Sequence, residues 1–362
     1  MKILHIITSL ELGGAEKLLT ELLPAQKKLG HSIELMILSD VNAVFKKDLE
    51  EKGIKIYVSK YNSKKSPLNI FEINKKIKAV NYDIVHVHLV HAQYWTRMAR
   101  LFDRSKNRRY LTTEHSTSNR RRNNKILGMI DKFIFNGYEE IVSISYATEN
   151  SLYEWVGGKK EKYAVIPNGI DLSVFENSTA IPRDEIGAEK EDIILMMVSR
   201  FHQSKNQKGA AEALEYLPKK YKMIFVGDGI LEEDVKNFVK EKYLESRVIF
   251  LGKRKDIPVL LKTADIIIQF SFFEGFGMAA VEGMASGKPV IVSNVSGLAD
   301  VVGGGGIICP NDPKELAKII LNLEDKKLYN HIAEMCLEKS KKYSIENSAE
   351  EYIKLYKEIL KR

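Results

Sequence analysis

Asp265 to Ser293 runs DIIIQFSFFEGFGMAAVEGMASGKPVIVS: a short apolar strand, a loop with two glycines, a helix and a second apolar strand. Strands Asp265–Phe270 and Pro289–Ser293 are nearly continuously apolar, and the helix Met278–Ser286 separates them. That order predicts parallel strands in a sheet covered on both faces. The alternation extends outward in both directions. Upstream, strands are expected at Ile193–Val198, Met223–Gly227 and Val248–Gly252, with helices at Gln207–Leu217 and Leu231–Tyr243. Downstream come strand Ile307–Cys309 and helices Pro313–Leu321, Lys326–Lys342 and Ile345–Leu360. The first half repeats the scheme with strands Lys2–Thr8, Ser32–Leu38, Ile54–Val58, Ile84–His88, Tyr110–Thr113, Ile141–Ile144 and Tyr163–Pro167. Its first helix, Ala15–Leu29, carries leucines at helical spacing and stops at Gly30. A polar, charge-rich seam follows Asp171. The expected fold is α/β: two doubly wound parallel-sheet domains facing a cleft, with ligands at the carboxyl ends of the strands.

Composition agrees. The 362 residues suggest two domains at ~150 residues each. An apolar content of 44% with 29% charged residues excludes a disordered or fibrous chain. No apolar run reaches the ~18 residues of a membrane span. Ile3–Leu10 reads as a strand and not as a signal peptide. The two cysteines, Cys309 and Cys336, form no C-x-x-C pair, so a reducing, cytoplasmic setting is expected. Residues 1–170 carry 28 Lys+Arg against 18 Asp+Glu, and the remainder carry 28 against 30. The net charge of +8 therefore lies wholly in the first half. An anionic partner or a solvated basic face both explain it.

Residues with chemistry cluster just after strands. Gly13-Gly14 opens the first helix, where free N–H groups suit an anion. There is no G-x-G-x-x-G and no P-loop, so a dinucleotide fingerprint and a P-loop NTPase are excluded. His86, His88 and His91 are read as strand-end polar residues in preference to zinc ligands. His115 closes the polar quartet Thr112-Thr113-Glu114-His115. Arg200 and Lys205 follow the strand Ile193–Val198 and suit a diphosphate. Glu274 and Glu282 flank the nest of N–H groups around Gly275 and Gly277, an arrangement for a ligand with hydroxyls at both ends and phosphate between.

The pair Glu274 and Glu282, with Gly275-Phe276-Gly277 between them, resembles the E-x7-E signature of retaining GT-B glycosyltransferases of family 4, the glycosyl transferases group 1. Gly13-Gly14, Pro167-Asn168-Gly169-Ile170-Asp171, Gly227-Asp228-Gly229 and Gly287-Lys288-Pro289-Val290 agree with that family in order and spacing. The resemblance implies a first domain at 1–172, with the terminal helix 345–362 packing back on it, and a nucleotide-sugar domain at 173–344. It implies that Arg200 and Lys205 bind the donor diphosphate, Glu282 the ribose, and Glu274 the transferred sugar with the N–H groups of Phe276, Gly277 and Met278. Gly14 would let its loop approach the diphosphate, His115 would contact the sugar, and Lys253 and Arg254 would lie against the base. Ser296-Gly297-Leu298-Ala299-Asp300 departs from the family's Gly-Gly-x-x-Glu segment.

The implied reaction moves a sugar from a nucleotide donor to a hydroxyl with retention, by a front-face route. UDP is favoured as the commonest donor among bacterial members. No metal or other cofactor is expected, because cationic side chains stand where a D-x-D metal site would otherwise serve. The acceptor would be a saccharide or lipid-linked saccharide in bacterial surface polysaccharide or glycolipid assembly. Arg97, Arg100, Arg104, Arg108, Arg109, Arg120, Arg121, Arg122 and Lys125, beside the apolar run Ile126–Ile130, suit an anionic membrane surface on the inner face of the cell membrane. A GT-B-shaped nucleotide-sugar epimerase is the alternative enzyme. A nucleic-acid-binding role is disfavoured, since the basic runs lack interleaved aromatics.

Overall fold

The computed structural model describes residues 1–117 and 124–362. It divides into two α/β units, Met1–Gly169 with Ile345–Arg362, and Ile170–Ser344.

The first unit is built on strands β1 (Lys2–Ile7), β2 (Ser32–Ile37), β3 (Lys55–Val58), β4 (Ile84–His88), β5 (Arg109–Glu114), β6 (Glu140–Ser143) and β7 (Tyr163–Val165). All pair in parallel, in the order β3-β2-β1-β4-β5-β6-β7. The order reverses between β1 and β4, and such a switch point opens a crevice at the strand C-termini. Ile3, Leu4, Ile6 and Ile7 of β1 are fully buried, so this strand is covered on both faces. His5 stands among them, in register with His86 of β4.

The helices Gly14–Lys28 and Ile345–Lys361 share one core, in which Leu18, Leu19 and Leu22 meet Tyr352, Ile353 and Tyr356. Pro24 sits inside the first of these helices. It has no N–H for the carbonyl of Thr20, one turn back. Lys52 fills the gap, donating from Nζ to that carbonyl at 3.0 Å.

The second unit carries β8 (Ile193–Val198), β9 (Tyr221–Val226), β10 (Val248–Phe250), β11 (Ile266–Gln269), β12 (Val290–Ser293) and β13 (Ile307–Cys309), all parallel in the order β10-β9-β8-β11-β12-β13. Its switch point lies between β8 and β11. The expected helix Gln207–Leu217 is an α-helix only to Glu212 and a 3-10 turn over Ala213–Tyr216. Pro218 explains the stop, because the residue before a proline is pushed to extended backbone, as Leu217 is at φ −115° and ψ 147°. Cys309 and Cys336 are both buried free thiols, and burial pushes each up to about 11.

Candidate active site

At the second switch point the segments after β8 and β11 are joined by backbone hydrogen bonds. Asn206 N–H donates to Phe270 O at 2.8 Å, and Phe272 N–H donates to Ser204 O at 2.9 Å. Lys205 and Ser271 lie opposite each other in the isolated bridge between them. Ser271 is held in turn: its N–H donates to Ser293 Oγ at 2.8 Å, and its carbonyl accepts from Ser293 Oγ at 2.6 Å and Asn311 Nδ2 at 3.1 Å. This staple fixes where Lys205 emerges. Its ammonium forms an ion pair with Glu274, and the two side chains retain only 17% and 21% exposure. A half-desolvated pair of this kind is stronger than an open surface pair.

The helix Met278–Ala285 begins at Gly277, whose φ of +88° is left-handed. A side chain at that φ is strained, and a Cβ there would also lie 2.4 Å from Leu298 Cδ2. The turn leaves the N–H groups of Phe276, Gly277 and Met278 without an acceptor among the described residues. They form a nest beside the Lys205–Glu274 pair, at the positive end of a helix dipole. Gly297 supports the loop from behind, for a Cβ there would lie 2.1 Å from Glu274 O. Sequence reasoning passed over Gly297 because it stood in a segment that departs from the family pattern. Its signal is steric and lies in the approach of one loop to another.

The other expected residues fall around this centre or are engaged elsewhere. Arg200 is exposed in the segment after β8, and its guanidinium has no ion-pair partner among the described residues. Glu282 is buried at 4% exposure in the helix Met278–Ala285. Arg254 follows the edge strand β10 and is clamped by Asp256, with Nε and Nη2 at 2.8 and 2.6 Å from its two oxygens. Gly227 N–H donates to Gly252 O at 2.8 Å, so the segments after β9 and β10 are also tied together.

Gly14 and His115 belong to the first unit. Gly14 opens the helix Gly14–Lys28, and a Cβ there would meet nothing within 4 Å, so packing alone does not require a glycine. His115 lies one residue past β5, with Nε2 3.2 Å from His88 Nδ1. Burial lowers its pKa to about 4. Among the described residues, His5, His86 and His88 are the one group whose ligating atoms gather closely, within 4.8 Å of one another. His5 was outside the expected trio; the pairing of β1 with β4, and not sequence proximity, puts it there.

Three arginines of the basic cluster brace the first unit internally. Arg108 and Asp103 form a buried pair at 2.7 Å. Arg100 bonds Glu139 and the carbonyl of Gly137, and Arg109 Nε donates to Ile359 O at 3.1 Å. These arginines are therefore withdrawn from the expected basic surface. Arg120, Arg121 and Arg122 lie outside the described residues. No helix among the described residues is long and apolar enough to cross a membrane.

Comparison with known proteins places the two halves. Residues 12–174 match the family model "Glycosyltransferase Family 4", and residues 179–342 match "Glycosyl transferases group 1". UDP-Gal:alpha-D-GlcNAc-diphosphoundecaprenol alpha-1,3-galactosyltransferase of Escherichia coli is 32% identical over 190 residues, covering 49% of each chain. This chain thus spans about half the length of that relative. N-acetyl-alpha-D-glucosaminyl L-malate synthase of Bacillus anthracis is 28% identical over 78% of this chain and 76% of its own. The crystal structure of Anabaena HepE in complex with UDP and glucose has the same fold, with a TM-score of 0.85 over 99% of this chain and 100% of its own at 24% identity. With two family models end to end on two parallel-sheet units, the chain is a glycosyltransferase of the GT-B fold.

Proposed function

We propose that the protein transfers a hexosyl group from a UDP-sugar to a lipid-linked saccharide, with retention at the anomeric carbon. The observation that carries this reading is the Lys205–Glu274 pair beside the open N–H groups of Phe276, Gly277 and Met278. Lys205, Arg200 and the helix start bind the diphosphate and stabilise the negative charge that grows on it as the glycosidic bond breaks. Glu274 accepts hydrogen bonds from hydroxyls of the moving sugar, and Glu282 from the ribose. Gly14 leaves room for the diphosphate, and His115 contacts the sugar. No cofactor or metal takes part. The Escherichia coli relative, named for a UDP-sugar donor and a diphosphoundecaprenol acceptor, supports the choice of both substrates. A thermal-shift and turnover panel of UDP-, GDP- and ADP-sugars tests the donor. Stabilisation by UDP-sugars alone is expected; a response only to GDP or ADP donors contradicts it.

Gly297→Ala should weaken UDP binding without removing a polar group. Its methyl drives against the carbonyl of Glu274, an overpacking worth about 1–3 kcal/mol. Calorimetric titration should show UDP affinity reduced about tenfold, with the thermal midpoint lowered by several degrees. Unchanged affinity would show that the loop yields freely.

A second feature favours work at an anionic membrane surface. On the helix Lys125–Asn136, Ile126, Met129, Ile130 and Phe133 recur at helical spacing and are 64%, 67%, 40% and 50% exposed. Lys125 and Lys132 flank them, both exposed. An exposed apolar stripe of this kind marks an interaction surface, and flanking lysines add attraction to anionic headgroups of about 1 kcal/mol each. Sedimentation with vesicles containing anionic lipid should fall at least tenfold when Ile126, Met129 and Phe133 are all changed to Ser. Equal sedimentation of both proteins would remove the stripe from the account.

A further inference from the structure

Four histidines of the first unit form one hydrogen-bonded chain headed by Gln26. His5 Nε2 lies 2.9 Å from Gln26 Oε1, His5 Nδ1 lies 3.1 Å from His88 Nε2, and His88 Nδ1 lies 3.2 Å from His115 Nε2. On the other side of the amide, Gln26 Nε2 lies 3.3 Å from the Tyr356 hydroxyl. That hydroxyl is 2.6 Å from His86 Nδ1, and His86 Nε2 is 2.7 Å from Thr113 Oγ1. His5, His86, His88 and Gln26 are all completely buried. Each of the three inner rings has both nitrogens in use, so the trio is a relay and not a metal cradle.

A neutral imidazole has one N–H and one lone pair. The direction of one bond in such a chain therefore dictates all the others. Tyr356 supplies that direction. A separation of 2.6 Å belongs to an O–H donor and is short for an N–H donor. The phenol thus donates to His86 Nδ1, and its oxygen accepts from Gln26 Nε2. The amide then turns Oε1 toward His5, which donates from Nε2 and accepts at Nδ1. His88 donates to His5 from Nε2 and accepts at Nδ1 from His115 Nε2. What remains at the end is His115 Nδ1, a lone pair that is buried and has no hydrogen-bond partner among the described residues. Burial keeps the rings neutral near neutral pH, with His5 lowered to about 3 and His115 to about 4. His86 and His88 are pushed down further by burial and by their neighbouring rings.

We propose that Gln26 is a positioning residue: through His5 and His88 it holds His115 in the Nε2–H tautomer and presents Nδ1 as a bare acceptor for a hydroxyl of the transferred sugar. The tautomer follows from the hydrogen bonds alone; its use on a sugar hydroxyl rests on the transfer reading above. A hydroxyl that donates to this atom is held by a group with no alternative partner, and the wrong tautomer would oppose it N–H to O–H.

The test needs no variant at its first stage. Protein labelled with nitrogen-15 in its histidine rings, examined by two-bond proton–nitrogen correlation at neutral pH, should show protonated Nε2 and bare Nδ1 on His5, His86, His88 and His115. A proton on His115 Nδ1, or two equally populated tautomers, overturns the relay. Gln26→Leu should then give mixed tautomers at His115 and a kcat about tenfold lower, with the donor KM unchanged. Gln26→Glu, fully buried and therefore protonated, still offers an oxygen to His5 and an O–H to Tyr356, and should restore both the ring pattern and kcat. A purely structural glutamine predicts the opposite ranking, since a buried carboxyl is the more disruptive change. A wild-type ring pattern in Gln26→Leu, or equal losses in the two variants, overturns the proposal. If the ring patterns behave as stated but His115→Ala transfers sugar at the wild-type rate, the sugar role of His115 fails while the tautomer relay stands.

Discussion

Lys205→Ala is expected to lower kcat/KM for the UDP-sugar between about tenfold and somewhat more than a hundredfold, the effect of losing a charged hydrogen bond of about 1.5–3 kcal/mol. Two consequences add. The diphosphate loses a cation held in place by the Ser204–Asn206 staple. Glu274 also loses the ammonium with which it is paired at 21% exposure. The expected signature is a drop in kcat together with weaker UDP binding. Two neighbouring variants should separate these components. Glu274→Ala should act chiefly on kcat, because in the proposed reaction its carboxylate touches the moving sugar. Glu282→Ala should act chiefly on KM, because the ribose assigned to it in the proposed reaction is held alike in ground and transition states. Steady-state kinetics on purified variants decide it. Wild-type turnover in Lys205→Ala would remove the ion pair from the mechanism, and a reversed pattern for the two glutamates would exchange their roles.

Acid should unfold the first unit well before carboxylate protonation would. His5, His86 and His88 are fully buried, and burial lowers each one's pKa, that of His5 to about 3. In the unfolded chain each takes up a proton near pH 6.5. Below that pH the unfolded state therefore binds more protons than the folded state, and stability falls as pH falls toward the folded values. His115, lowered to about 4, adds a fourth, so at about 1.4 kcal/mol per pH unit for each histidine the slope is about 5.5 kcal/mol per unit. Against a typical domain stability of ~5–15 kcal/mol, the midpoint should lie between about pH 4 and 5.5. Urea melts across pH 7 to 4 check the slope, and proton uptake on unfolding at pH 5.5 should approach four, one for each of these histidines. A melt that does not change between pH 7 and 4 would contradict the neutral, buried cluster.

What the sequence made legible follows from which physics is local. Strands such as Ile84–His88, Ile193–Val198 and Ile307–Cys309 stood out because buried parallel strands are continuous apolar runs, and these three were placed without error at either end. Short helices were less legible. Leu172–Glu176 and Ser296–Val302 are each too brief to show a period, and Val90–Arg100 begins at Leu89, whose φ of +67° no local pattern announces. The Glu274 loop was visible because its glycines and carboxylates are contiguous. The support of Gly297 behind Glu274, the bridge between Lys205 and Ser271, and the seat of Gln26 among histidines from two strands all depend on contacts distant in sequence. The arginines show the converse error. Their charges were visible, but Asp103 and Glu139, which absorb two of them, were not identifiable as partners from spacing alone.

The central claim is that the segments after β8 and β11 hold a UDP-sugar and release its sugar with retention. The most direct measurement is time-resolved proton NMR of the reaction with an α-linked UDP-sugar and a diphosphate-linked saccharide acceptor, recorded before any anomeric exchange. The prediction is consumption of the UDP-sugar and an initial product whose new linkage is α, with both signals suppressed in Lys205→Ala. An initial β linkage, or UDP-sugar left intact while a GDP- or ADP-sugar is consumed, would contradict it.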